Sequence, residues 1–90
     1  MTTHMVKSWS HLYDAIVSGA KSYDLRKNDR DYKVGDILHL KQYDNINGKF
    51  TGWQTTRRIS YITSNDTPCA VSSAVLPNEY CILGFENETS

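Results

Sequence analysis

Ninety residues, with ten Lys plus Arg, ten Asp plus Glu and a formal net charge of zero, describe one small domain spanning 1–90. At 39% hydrophobic and 22% charged, with 5 Gly and 2 Pro, the composition argues against a disordered tail, a collagen-like repeat or a coiled coil. No apolar run reaches the roughly 18 residues of a membrane span, and Met1-Thr2-Thr3-His4-Met5 lacks the basic start and apolar stretch of a signal peptide. A cytoplasmic domain without membrane association is the expectation.

In chain order, His4 to Lys7 reads as a short strand. Trp9, Leu12, Tyr13, Ile16 and Val17 recur at helical spacing and predict an amphipathic helix over 9–18, with Trp9 and Tyr13 in the core. Ser8 or Ser10 is its candidate N-cap, and Gly19 its left-handed C-terminal residue. Tyr23 and Leu25 alternate with Ser22, Asp24 and Arg26, as in a strand whose apolar side is half-buried. Asn28-Asp29-Arg30-Asp31 is a polar turn in which Asp29 and Asp31 would cap their own backbone, and Lys27 would point to solvent. Val34-Gly35-Asp36 leads into a strand from Ile37 to Tyr43, with Leu38 and Leu40 on one face. Asp44-Asn45-Ile46-Asn47-Gly48 is a hairpin signal. Lys49–Gln54 and Thr55–Thr63 read as two further strands, with Gly52 a candidate bulge and Arg57 and Arg58 facing opposite ways. Residues 64–79 read as irregular, Tyr80–Phe85 as a final strand and 86–90 as a frayed tail.

Charge is unevenly spread. All ten Lys and Arg lie at or before Arg58 beside six Asp, so residues 1–58 carry +4 and the remainder −4. Such asymmetry marks either a basic binding face or two halves that pack together. Cys69 and Cys81 form no CxxC pair, and His4, His11 and His39 have no matching ligand spacing, so neither a metal nor a cofactor is expected. Cys81 lies in an apolar run that suits a buried free thiol. A Cys69–Cys81 disulfide is disfavoured in a reducing compartment. His4 and His11 read as structural. One helix and about five short strands predict an α+β, mainly-β domain: a small curved sheet or barrel.

The run Gly19-Ala20-Lys21-Ser22-Tyr23-Asp24-Leu25-Arg26 resembles the G-x-K-x-x-E-x-R signature of ASCH (activating signal cointegrator homology) domains, small PUA-like β-barrels. His4 to Trp9, Tyr13 to Ile16, Arg26 to Tyr32, Val34 to Asp36 and Tyr43-Asp44 extend the likeness to a compact bacterial and phage subgroup of unknown function. It covers residues 4 to 63, and Tyr80 to Phe85 fits the closing strand. Asp24 stands where the family usually has Glu, and Ala20 where it often has Lys. The resemblance implies a PUA-like barrel of about five strands with an N-terminal helix, and a ligand cleft beside this motif.

On a strand, Asp24 and Arg26 share a face, with Lys21 near the start. A lysine, a carboxylate and an arginine around a cleft suit an anion or a base edge; the plainer reading is an Asp24–Arg26 ion pair. Asn28 and Arg30 extend the candidate ligand site, Arg30 toward a phosphate, and Trp53 or Tyr43 could stack a base. The leading reading is a module that binds RNA or a modified nucleotide or nucleoside through Lys21, Asp24, Arg26, Asn28 and Arg30, as a monomer or weak dimer. The second is a hydrolase. Some ASCH proteins resemble amidohydrolases of acylated cytidine that use a lysine, a threonine three residues on and a distant glutamate, and others resemble ribonucleases. Lys21 matches the lysine and would be the catalytic base. Asp24 occupies the threonine position and would act on water. Glu79 or Asp66 would be the distant acid. The third is an interaction module acting on a host protein.

Overall fold

The computed structural model describes residues 1–65, 77 and 79–86. Alternation writes the first strand, β1 (Thr3–Trp9): His4, Val6 and Ser8 are buried and the odd-numbered residues face out. The strand runs past Lys7 as far as Trp9, which corrects the helix. α1 is Ser10–Ser18, and Trp9 is its N-cap, with no side-chain cap hydrogen bond. Ser8 is buried in β1, and the Ser10 hydroxyl donates instead to the Tyr43 carbonyl at 3.3 Å. Trp9 is therefore no core residue. It is 49% exposed, because the strand places it on the outward side. Tyr13 and Ile16 bury the helix's inner face, and Gly19 ends it at φ 87°.

β2 (Tyr23–Lys27) reverses the expected sidedness. Asp24 is buried, while Tyr23 and Leu25 are more than half exposed. Period two allows either face inward, and hydrophobicity alone selects the wrong one. Ion pairs select the other, as described below. The turn after β2 also differs from expectation. Asp31 adopts φ 51° and pairs with Lys33 at 3.6 Å on the surface, whereas the carboxylate that accepts the Lys33 amide is Asp36, at 3.2 Å.

β3 (Ile37–Asp44) buries Leu38 and Leu40 completely, as the sequence implies. β4 is one strand, Lys49–Ser64, not two, so regular structure continues one residue into the stretch read as irregular. Gly52, at φ 95°, lies in the irregularity where Lys41 faces Gln54 but Tyr43 faces Phe50. Arg57 is buried and Arg58 exposed, on opposite faces. Two Arg57 guanidinium nitrogens reach the α1 C-terminal region and Thr55–Thr56, one donating to the Ile16 carbonyl at 3.2 Å. β5 (Tyr80–Phe85) turns Cys81, Leu83 and Phe85 inward. Burial raises the Cys81 thiol above its usual pKa. Cys69, Asp66 and residues 87–90 lie outside the described residues.

The strand order is β1-β3-β4-β5-β2, with β1 and β3 parallel and the other neighbours antiparallel. Among the described residues this is a mainly-β domain of five strands and one helix. The core joins Val6, Ile16, Leu38, Leu40, Ile59 and Leu83; burial of each such side chain contributes roughly 1.5–3 kcal/mol. Among the described residues no ladder joins β1 to β2, so these are the sheet's two outer strands. Among the described residues no helix is long and apolar enough to cross a membrane.

Candidate functional site

The site is organised by one carboxylate. Asp24 Oδ2 accepts from Arg26 Nη1 at 2.7 Å, and its Oδ1 lies 3.7 Å from Lys21 Nζ. All three side chains are largely withdrawn from water, at 8%, 22% and 15% exposure for Asp24, Arg26 and Lys21. The convergence expected from the spacing is present, and so is the Asp24–Arg26 ion pair. Leu83, fully buried, lies opposite Asp24 across the β2–β5 ladder. A carboxylate in such a place needs its cations, and that need turns β2 inside out.

The arginines reach further. Arg26 Nη2 donates to the Lys7 carbonyl at 3.2 Å, and Arg30 Nη1 donates to the Met5 carbonyl at 3.0 Å. Both carbonyls lie on β1, so side chains of β2 and its following turn bridge to the opposite outer strand where backbone pairing is absent. A cleft of about 420 Å³ opens along this seam. Lys7, Trp9, Arg26, Lys27 and Arg30 contribute to its wall, with Asp24, Asp29 and Tyr32. Four cations against two carboxylates, one of them already paired twice, leave the cleft positive.

Tyr32 supports the cleft from behind. Its phenol is raised above the usual pKa mainly by burial, with Arg26 and Arg30 pulling the other way. His4 packs edge-on against its ring at 4.7 Å and holds Asp36 through Nε2 at 2.8 Å. His4 is thus buried and hydrogen-bonded, as a structural histidine would be. With the Thr2 and Lys33 amides also donating to Asp36, its pKa falls to about 2.

Of the expected site residues, Asp24, Arg26 and Arg30 line the cleft. Lys21 touches Asp24 but opens on a separate depression beside Gly19, Arg57 and Glu86, with its ammonium 4.6 Å from the Tyr23 ring centre. Asn28 belongs to a third groove, with Tyr61, Ile62 and Ser64. Lys27, expected in solvent, is exposed but contributes to the cleft wall. Lys7 and Trp9 are cleft residues that the sequence did not mark as such; alternation carried to Trp9 puts both on the outward side of β1, but only the strand order sets that strand beside the cleft. Trp53 and Tyr43 are not among the residues that line this cleft. Among the described residues no three His, Cys, Asp or Glu side chains group as metal ligands.

Comparison with known proteins finds a relative in Escherichia phage P2, an uncharacterized 12.9 kDa protein in the GpA 3′ region. It is 37% identical over 60 residues, which cover 67% of this chain and 53% of that protein. The chain thus spans about half the length of this curated relative. The model of a family described as a domain of unknown function, DUF3850, matches residues 3–85, and the chain belongs to that family.

Proposed function

We propose that the chain binds a nucleotide or a stretch of RNA in the cleft between β1 and β2. The observation that carries this reading is the cationic wall of Lys7, Arg26, Lys27 and Arg30, with the half-exposed Trp9 among the lining residues. Arg supplies planar donors for phosphate or a base edge, Lys a point charge, and Trp a stacking face. In the same reading the domain is an ASCH-like, PUA-like barrel left unzipped at one seam, and the seam is the ligand site. The Arg26 and Arg30 bonds to β1 carbonyls support this, because they draw the two outer strands together without a ladder.

Binding is favoured over hydrolysis. Both Asp24 oxygens are engaged by cations, which ill suits a carboxylate that must activate water. Lys21 opens on the other depression, so the lysine of an amidohydrolase would lie outside the cleft that holds the ligand, away from the side of Asp24 that lines it. The test is titration with nucleoside monophosphates and labelled RNA at low salt, and incubation with acylated cytidine and short RNA as turnover controls. Arg30→Ala should weaken binding by roughly fivefold or more, as loss of one charge-assisted contact does. Absence of binding by wild-type protein overturns the reading. Turnover abolished by Lys21→Ala replaces it with the hydrolase, and capture of a host protein that persists in an Arg26→Ala/Arg30→Ala variant replaces it with the interaction module.

A further inference from the structure

The outward side chains of β1, β3 and β4 form rows that the strand registers define. Trp9 lies opposite Tyr43, and Tyr43 opposite Phe50. One row along, Lys7 lies opposite Lys41, and Lys41 opposite Gln54. The next row is Met5, His39 and Thr56. Directly opposed residues share a face, so this surface carries an aromatic row, a lysine row and a mixed row of Met5, His39 and Thr56, with no carboxylate in any of them.

Two features mark it as more than an ordinary sheet exterior. The first is exposure: Trp9 is 49%, Phe50 55% and Trp53 72% exposed. The second is the bulge that brings Trp53 here. Gly52 takes φ 95°, and the Thr51 hydroxyl accepts from the Trp53 amide at 3.2 Å while donating to Gln42 Oε1 at 2.7 Å. Gln42 is buried and ties the bulge to the helix, donating to Asp14 at 3.0 Å and to the Ser10 carbonyl at 3.3 Å. The ring is therefore presented from an anchored backbone, which limits the entropy lost on stacking. The groove at the bulge is lined by Lys41, Gln42, Phe50, Gly52, Trp53 and Gln54.

The lysines stand among the rings. Lys7 Nζ is 4.3 Å from the Tyr43 ring centre and Lys41 Nζ 5.8 Å from that of Phe50. Asp44, next to Tyr43 on β3, is turned into the hairpin, where the Ile46 and Asn47 amides and the Asn47 side chain occupy its oxygens. Lys7 and Trp9 also line the cleft, so the two surfaces are continuous.

We propose that the ligand is a single-stranded nucleic acid that runs from the cleft across the outer face of β1, β3 and β4. Its bases stack on Trp9, Phe50 and Trp53, and its phosphates pass Lys7 and Lys41. This rests on the cleft reading above and adds length to it. Two strand spacings, about 10 Å, separate Trp9 from Phe50, so the ligand needs on the order of four nucleotides, the low end for small β-sheet readers of single strands. Alternating cations and exposed rings suit a polyanion with π-faces; a protein partner would meet a broken apolar surface studded with charge.

The experiment compares uridine monophosphate with a fluorescent oligouridylate of about eight nucleotides, by anisotropy and competition. It uses wild type, Phe50→Ala/Trp53→Ala, Lys41→Ala and Arg30→Ala, with melting curves confirming that each variant folds. The oligomer should bind at least tenfold more tightly than the monophosphate. The aromatic double variant should weaken oligomer binding by roughly 5- to 100-fold and leave the monophosphate unchanged, whereas Arg30→Ala weakens both. Oligomer binding unchanged in the double variant, with monophosphate binding intact, overturns the path and leaves the cleft standing. Oligomer binding lost in the double variant but unchanged in Arg30→Ala overturns the cleft and leaves the face. A wild-type dimer that the double variant converts to monomer makes the face a self-interface and overturns the proposal.

Discussion

Asp36 is held by three donors, His4 Nε2 first among them, then the Thr2 and Lys33 amides. Its pKa of about 2 lies below the ordinary 3.8, so the folded state favours the charged carboxylate. The stability this confers is complete above the ordinary value and is lost as pH falls through about 2. Urea midpoints should therefore fall across that window in the wild type. Asp36→Asn should begin lower at neutral pH and vary less across the same window; parallel curves would remove Asp36 as the cause. Asp24 answers to a different measurement. Asp24→Ala strands Lys21 and Arg26 in a largely dehydrated place and should cost about 1–3 kcal/mol by chemical denaturation, part of the full buried-pair penalty being relieved by their remaining exposure. Lys21→Met should cost less than Asp24→Ala, because Arg26 at 2.7 Å still neutralises the carboxylate.

Among the elements, β2 separates what spacing can tell from what it cannot. The expectation that Asp24 and Arg26 share a face follows from strand periodicity and is met, and Lys21 joins them from the turn before β2. The expectation that Tyr23 and Leu25 face inward follows from hydrophobicity and is reversed, since the two faces of a two-residue period differ only in what they touch. Leu38 and Leu40 on β3 were legible because both signals agree there. Lys7 and Trp9 were not legible as cleft residues, because the seam between β1 and β2 is made by strand order, and no local pattern encodes that order. Two leucines test the assignment. Leu83→Ala, at 0% exposure, should lose about 2–5 kcal/mol. Leu25→Ala, at 56% exposure, should lose well under about 1 kcal/mol. Comparable losses would mean that β2 sits the other way round. At the end of α1, Gly19→Ala meets no steric obstacle within 4 Å but must hold φ +87°, and should cost about 1 kcal/mol through backbone strain alone.

At the scale of the whole molecule, zero net charge hides a division: every Lys and Arg precedes Ser60, within the stretch that builds the cleft and the β1–β3–β4 face. Binding of a single strand should therefore be salt-dependent despite the neutral total. With about three phosphates neutralised, the slope of log affinity against log salt should be about −2, since each contributes about −0.7. A slope near zero would mean that the local cations do not meet phosphate. The division also sets an order of assembly. β1, β3 and β4 can pair without β5, whereas among the described residues β2, at Tyr23–Lys27, pairs with Tyr80–Phe85 alone. Loop closure over that sequence distance is slow compared with hairpin formation. During refolding, and during synthesis from the N-terminus, Asp24, Arg26 and Arg30 come into register only when the last strand docks. If the cleft binds the ligand, ligand competence should thus follow the docking of β5, with the aromatic face formed before the cleft.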